Sequence, residues 1–67
     1  MKNSFSKNLI MLRKEKGVGQ VELANAIHVS KGIVSLWENG LREPCLTSLV
    51  ALSKYFQVSI DDLVGLD

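Results

Sequence analysis

The stretch from Ser30 to Gly40 limits what this chain can fold into more than any other segment. It reads Ser-Lys-Gly-Ile-Val-Ser-Leu-Trp-Glu-Asn-Gly, a short helix with both ends marked by the sequence itself. The Ser30 side chain can accept a hydrogen bond from an amide group at the helix start, and Gly40 can take the left-handed turn past its end. We therefore predict a short helix between these two residues.

The two sides of this helix differ in chemistry. Successive residues advance about 100° around a helix axis, which sorts them by face. The inner side carries the large apolar groups together with one carboxylate: Ser30, Ile33, Val34, Trp37 and Glu38. The outer side carries small and polar groups around one cation, with a single leucine predicted to be exposed: Lys31, Gly32, Ser35, Leu36 and Asn39. Such a surface suits insertion into the major groove of DNA.

Length and composition exclude several classes of protein. A chain of 67 residues is expected to form one domain, residues 1–67, with a small core. One Cys and one His provide neither an internal disulfide nor a cluster of metal ligands, so we predict no metal, no cofactor and no small-molecule ligand. The sequence contains no nucleophile and general base at a spacing typical of a catalytic pair, which argues against an enzyme. The apolar run at residues 9–12 is too short for a signal or membrane segment, so we expect no membrane association and a soluble, cytoplasmic protein.

Charge is unevenly distributed along the chain. Residues 1–42 hold seven cations and three acids, whereas residues 43–67 hold one cation and four acids. This asymmetry is consistent with one face turned toward phosphates, although small proteins also show it by chance. It supports a nucleic-acid partner without establishing one.

The remaining sequence predicts four further helices and no strand. They cover about residues 5–16, 20–27, 46–56 and 60–64. Ser4 and Ser59 are predicted to cap the first and last of them, whereas Cys45 is a poor cap and is expected to be a partly buried thiol. His28 is interpreted as a turn residue with positive φ rather than as a ligand. The fold class is therefore all-α, with five helices.

Apolar spacing predicts which side of each flanking helix is buried. The predicted inner residues are Phe5, Leu9 and Leu12 in the first helix, Leu23, Ala24 and Ile27 in the second, and Leu46, Leu49, Val50, Leu52 and Phe56 in the fourth. Ala24 is small enough to allow two helices to cross closely.

The segment from residue 20 to residue 40 resembles a known family. The pattern Gln20-x-x-Leu23-Ala24-x-x-Ile27-x-Val29-Ser30-x-x-x-Val34-x-x-Trp37-Glu38-x-Gly40 is similar to the helix-turn-helix of the lambda-repressor-like (Cro/cI-type, XRE) transcriptional regulators. The resemblance extends from about residue 5 to residue 65. It implies a compact five-helix DNA-binding domain whose second and third helices form the motif. The sequence departs from the family at Gly19, His28, Gly32 and Leu36.

The resemblance also implies a role for individual residues. It implies a regulator, taken here as a repressor, that binds double-stranded operator DNA of palindromic sequence as a homodimer, through the third helix. The implied DNA-binding residues are Gln20, Ser30, Lys31, Gly32, Ser35, Leu36, Asn39 and Arg42. The implied structural residues are Arg13, Ala24, Val34, Trp37 and Glu38. Gln20 matches a position that either holds a phosphate or braces the third helix, and Arg13 with Glu38 matches a salt bridge.

Two questions stay open at the level of sequence. Gly32 and Leu36 on the outer side, with Ile10 and Met11 off the buried stripe of the first helix, also suit a protein-interaction module of antitoxin or adaptor type. The dimer contact is assigned only to leftover apolar residues: Val64 and Leu66, with possible contributions from Leu41, Leu46 or Tyr55.

Overall fold

Five helices and the turns between them make up residues 4–65, which are the residues that the computed structural model describes. The helices are α1 (Phe5–Lys16), α2 (Gln20–Ala26), α3 (Lys31–Glu38), α4 (Leu46–Phe56) and α5 (Ile60–Val64). No strand occurs between residues 4 and 65. The predicted all-α, five-helix fold is confirmed, and the one shifted boundary is the end of α2, which stops at Ala26 with Ile27 as its C-cap.

Serine caps fix the start of two helices as predicted. The Ser30 hydroxyl oxygen accepts from the Ile33 amide at 3.2 Å, and that of Ser59 accepts from the Asp62 amide at 3.0 Å. The predicted side-chain cap at Ser4 is wrong. Its backbone (φ −113°, ψ 29°) lies outside the extended region that aims a capping side chain at the helix, and no such bond forms. The Ser4 amide instead donates to the Val64 carbonyl at 2.6 Å, which ties the start of α1 to the end of α5.

Left-handed residues end the helices that flank the turn of the motif. His28 has a φ of 62°, so its prediction as a turn residue is confirmed. Gly40 follows Asn39, the C-cap of α3, and has a φ of 72°, at which a side chain would be strained. The chain can therefore reverse twice within about a dozen residues and present α3 between two turns.

All five helices contribute to one apolar core. Its buried members are Phe5, Leu9, Leu23, Ala24, Ile27, Val34, Trp37, Leu52 and Leu63. The rings of Phe5 and Trp37 meet edge to face, with centroids 6.1 Å apart, where α1 crosses α3. Because α3 packs against both α1 and α2, the core fixes the rotation of α3 about its axis.

The predicted burial of α4 is only partly correct. Leu52 is buried, and Leu49 and Phe56 pack against the core, but Leu46 is 72% exposed and Val50 is 38% exposed. At about 100° per residue, Leu46 and Val50 lie about 120° and 160° around the helix from Leu52, away from its buried face. Cys45 is exposed rather than partly buried, because it sits in extended backbone ahead of the first turn of α4.

None of the described helices combines the length and the apolar character that crossing a membrane would require.

Candidate nucleic-acid interface

The third helix turns one side into the core and the other toward solvent. Val34 and Trp37 are 0% and 2% exposed, whereas Lys31, Gly32 and Asn39 are exposed. This is the orientation that the sequence predicts. The folded chain thus leaves the polar, small-residue side of α3 on its surface.

Leu36 departs from its predicted exposure and is half-buried. It lies at the edge of the outer side, one turn after Ile33, which packs against the core. Residues three apart on a helix are neighbours on its surface, so Leu36 borders the buried side of α3 as well as the outer side. The exposed remainder still borders the outer side.

A bidentate ion pair anchors the inner side of α3 to α1. Arg13 Nε donates to Glu38 Oε2 at 2.7 Å, and Arg13 Nη2 donates to Glu38 Oε1 at 3.1 Å. Arg13 Nη1 also donates to the Val18 carbonyl at 3.1 Å, in the loop before α2. The predicted Arg13–Glu38 salt bridge is therefore present, and its geometry is the parallel, two-bond form that arginine makes with a carboxylate.

Gln20 completes this network from α2. Its side-chain amide donates to Glu38 Oε1 at 2.9 Å, so the observed contact braces α3, one of the two roles that the family resemblance implied. Burial by itself would raise the pKa of Glu38. The hydrogen bonds from Arg13 and Gln20, aided by the charges of Arg13 and Lys14, outweigh burial and lower that pKa below its ordinary value. The hydrogen bond to Glu38 raises the pKa of Arg13 in turn.

Polar groups at the end of α3 are held by further hydrogen bonds. The Ser6 hydroxyl donates to the Trp37 carbonyl at 2.7 Å, which links α1 to the last turn of α3. The Asn39 side-chain nitrogen donates to the Ser35 carbonyl at 2.9 Å and lies 3.3 Å from the Ser35 hydroxyl. Because a carbonyl can only accept, these contacts fix which end of the Asn39 amide faces Ser35.

Seven of the eight predicted DNA-binding residues lie on the outer side of α3 or at its two ends, and the eighth, Gln20, lies at the start of α2. Five of them are exposed: Ser30, Lys31, Gly32, Asn39 and Arg42. Three are half-buried: Gln20, Ser35 and Leu36. Arg42 lies in the loop after α3, beside a shallow cavity of 210 Å³ that reaches Trp37 and Cys45. Between residues 4 and 65, no group of three His, Cys, Asp or Glu side chains could hold a metal ion.

Sequence reasoning missed the polar residues of α1 that position the motif. Asn8 donates to the carbonyls of Asp62 and Leu63 at 3.2 and 3.1 Å, and Ser6 bonds Trp37 as described above. Both look like ordinary surface residues of an amphipathic helix. Their partners are 31 or more residues away in sequence, so no local pattern predicts these bonds.

Comparison with known proteins gives consistent matches over most of the chain. The sequence model of the helix-turn-helix family HTH_3 matches residues 9–63. The chain is 40% identical over 61 residues to the HTH-type transcriptional activator BcrR of Enterococcus faecalis, an alignment that covers 91% of this chain and 30% of BcrR. It is 37% identical over 61 residues to the cryptic phage CTXphi transcriptional repressor RstR of Vibrio cholerae, covering 91% of this chain and 55% of RstR. The chain thus spans less than a third of the length of BcrR and about half the length of RstR.

Among solved structures, the fold matches the P22 c2 repressor protein in complex with the synthetic operator 9T. The TM-score is 0.87 at 33% sequence identity, and the match covers 94% of this chain and 96% of the repressor chain. The similarity therefore extends over nearly the whole of both chains.

Proposed function

The chain belongs to the helix-turn-helix family HTH_3, the XRE-type regulators, and from this premise we propose that it regulates transcription by inserting α3 into the major groove of double-stranded DNA. The orientation of α3 is the observation that carries the proposal. Trp37 anchors the inner side, and the outer side presents a ridge that the protein's own core does not cover. A major groove about 12 Å wide admits one such helix.

The outer residues offer the donor and acceptor chemistry that base edges require. Lys31, exposed at the first position of α3, can donate to the N7 and O6 atoms of guanine. Ser35 can donate or accept, and the exposed part of Leu36 can contact a thymine methyl group. Ser30, Asn39 and Arg42 lie at the two ends of α3, where phosphates would flank the inserted helix.

We assign Gln20 to a supporting role. Its amide donates to the carboxylate that Arg13 also holds, so it fixes α3 against α1 and α2. A phosphate contact by Gln20 would have to use its second amide hydrogen. The network thus keeps the outer side of α3 in one orientation before DNA arrives, which reduces the entropy cost of binding.

Dimerisation is proposed because one recognition helix reaches only a few base pairs. A two-fold dimer on a palindromic operator would place two such helices about one turn of DNA apart. Leu41 and Leu46 are 74% and 72% exposed and, with half-buried Val64 and Tyr55, are the candidate contact. Leu66, also predicted for this patch, lies outside the described residues. We propose repression as the outcome, since a dimer bound across a promoter blocks transcription without further contacts. We also propose that the protein acts in the cytoplasm of a bacterium.

A protein-interaction module is the alternative, and two observations favour it. Met11 is 51% exposed on α1, and Gly32 with Leu36 makes the outer side of α3 less polar than a groove-binding surface needs to be. Apolar protein contacts and phosphate contacts differ in their response to salt. Affinity for DNA falls steeply with salt, by a power set by the number of phosphates neutralised.

Selection from a pool of random duplexes, followed by titration of the selected duplex at several salt concentrations, tests the proposal. We expect a palindromic sequence to be enriched and its affinity to fall about a thousandfold or more between 50 and 200 mM salt if six or more phosphates are contacted. A pool without enrichment, or an affinity that is independent of salt, would contradict DNA binding and favour the interaction module.

A further inference from the structure

Gly32 is a glycine that the fold does not require. Glycine is among the poorest helix formers, and a helix usually retains one where positive φ or a close neighbour excludes a side chain. Neither reason applies in α3. The residue lies within the helix without positive φ, and a methyl group added there would lie 3.8 Å from Ser30 Oγ, with nothing closer among the described residues. Any requirement for glycine must therefore come from a molecule that approaches from outside.

Gly32 lies beside an apolar side chain on the outer side of α3. Leu36 lies one turn later on the same side, half-buried, with apolar surface left toward solvent. The Asn39 side chain bends back to the Ser35 carbonyl, 2.9 Å away, instead of standing free above the outer side. The exposed Cα of Gly32 is thus open to contact, and its neighbour in that direction is a hydrocarbon side chain.

We propose that Gly32 determines sequence specificity by leaving room for the 5-methyl group of a thymine, which contacts the Gly32 Cα and the Leu36 side chain. This inference rests on the proposed DNA-binding function. The thymine methyl is the one apolar group that the major groove edge of a standard base pair offers, and an exposed Cα beside a leucine side chain is its complement. Any larger residue at position 32 would fill the space that the methyl group needs.

Two changes test this assignment: one removes a methyl group from the DNA, and the other adds a methyl group to the protein at position 32. Each thymine of the duplex selected by the unaltered protein is replaced in turn by uracil, which lacks only the methyl group. At one position we expect the unaltered protein to bind the uracil duplex roughly fourfold more weakly, the effect of one buried methyl group lost. G32A is expected to bind the thymine duplex about tenfold or more weakly, as overpacked contacts do, and to prefer uracil at that same position.

Two controls separate this effect from general damage. K54A alters an exposed residue of α4, outside the proposed interface, so it should keep the preference for thymine over uracil. G32A should have an unchanged salt slope, because its phosphate contacts are the same. Its thermal midpoint should be equal to or higher than that of the unaltered protein, because alanine is the better helix former.

Four results would overturn the inference. The unaltered protein could be indifferent to uracil at every thymine, or G32A could bind the thymine duplex as tightly as the unaltered protein; either leaves the proposed function intact. An unfolded G32A would show that the fold itself needs the glycine. Failure of the unaltered protein to bind any duplex would refute the proposed function, and this inference with it.

Discussion

The two sides of α3 have different surroundings, although they belong to one short helix. The inner side is fixed by Trp37 in the core and by Glu38, which accepts hydrogen bonds from Arg13 and Gln20. The outer side has Lys31 and Gly32, which are exposed and make no contribution to the core. From this contrast we expect that stability and the proposed DNA binding can be altered separately in this protein. Substitutions on the inner side should reduce stability, and substitutions on the outer side should reduce binding alone.

Removing the Trp37 ring should give the largest effect. W37A leaves a cavity beside Phe5 at the crossing of α1 and α3, and we expect it to lower the free energy of unfolding by about 3–5 kcal/mol. That is most of the stability of so small a domain. Urea unfolding followed by circular dichroism measures the loss. A loss below about 1 kcal/mol would mean that Trp37 is not a core residue in solution.

Breaking the ion pair should rank next. R13A leaves the Glu38 carboxylate, whose side chain is 6% exposed, without its charged partner, and we expect a loss of about 3 kcal/mol. K7A removes an exposed cation from the same helix and serves as the matched control, with an expected change within about 0.5 kcal/mol. Equal denaturation midpoints for R13A and K7A would show that the ion pair does not stabilise the fold.

The same pair predicts how stability depends on pH. The pKa of Glu38 is lowered in the folded state from its ordinary value of 4.5, so its contribution is fully present above about pH 4.5 and is lost as pH falls through the folded pKa. Unfolding of the unaltered protein and of E38Q should be compared between pH 7 and pH 3. The stability difference between them should shrink as the pH falls below 4.5. A difference that stays constant across this range would contradict the assigned cause.

On the outer side, K31A should leave the fold intact and weaken binding. Loss of a base contact costs about 1–3 kcal/mol, which is a five- to 150-fold weaker affinity for the selected duplex. K54A, an exposed lysine on α4, is the control for the loss of one charge. Fluorescence anisotropy with a labelled duplex measures both variants. If K31A and K54A lose affinity equally, Lys31 contributes only its charge and makes no contact with a base.

Local sequence patterns predicted the parts of the fold that depend on neighbours along the chain. Residues within one or two helical turns are enough to predict these features. They are the caps at Ser30 and Ser59, the positive φ of His28 and the inward orientation of Trp37. The Arg13–Glu38 pair was predictable because an inward carboxylate needs a partner and the family resemblance supplied one.

Features that depend on how the helices pack could not be predicted in the same way. Leu46 is exposed because of the rotation of α4, which only the assembled core determines, and Cys45 is exposed in the extended backbone ahead of that helix. The bonds from Asn8 to the α5 carbonyls join residues 54 and 55 positions apart. For the candidate site, the sequence predicted the outward position of Lys31, Gly32 and Asn39 and left two roles open for Gln20. The folded arrangement shows the bracing contact of Gln20 and the bent side chain of Asn39.

Mapping the DNA-bound surface by NMR tests the central claim most directly. Amide shifts of the labelled protein are followed while the selected duplex is added, once at low salt and once at high salt. We predict that the largest changes fall on Lys31, Gly32, Ser35 and Arg42, and that they diminish at high salt. Shifts concentrated instead around Met11 and Val50, with the outer side of α3 unaffected, would contradict the proposed role of this helix.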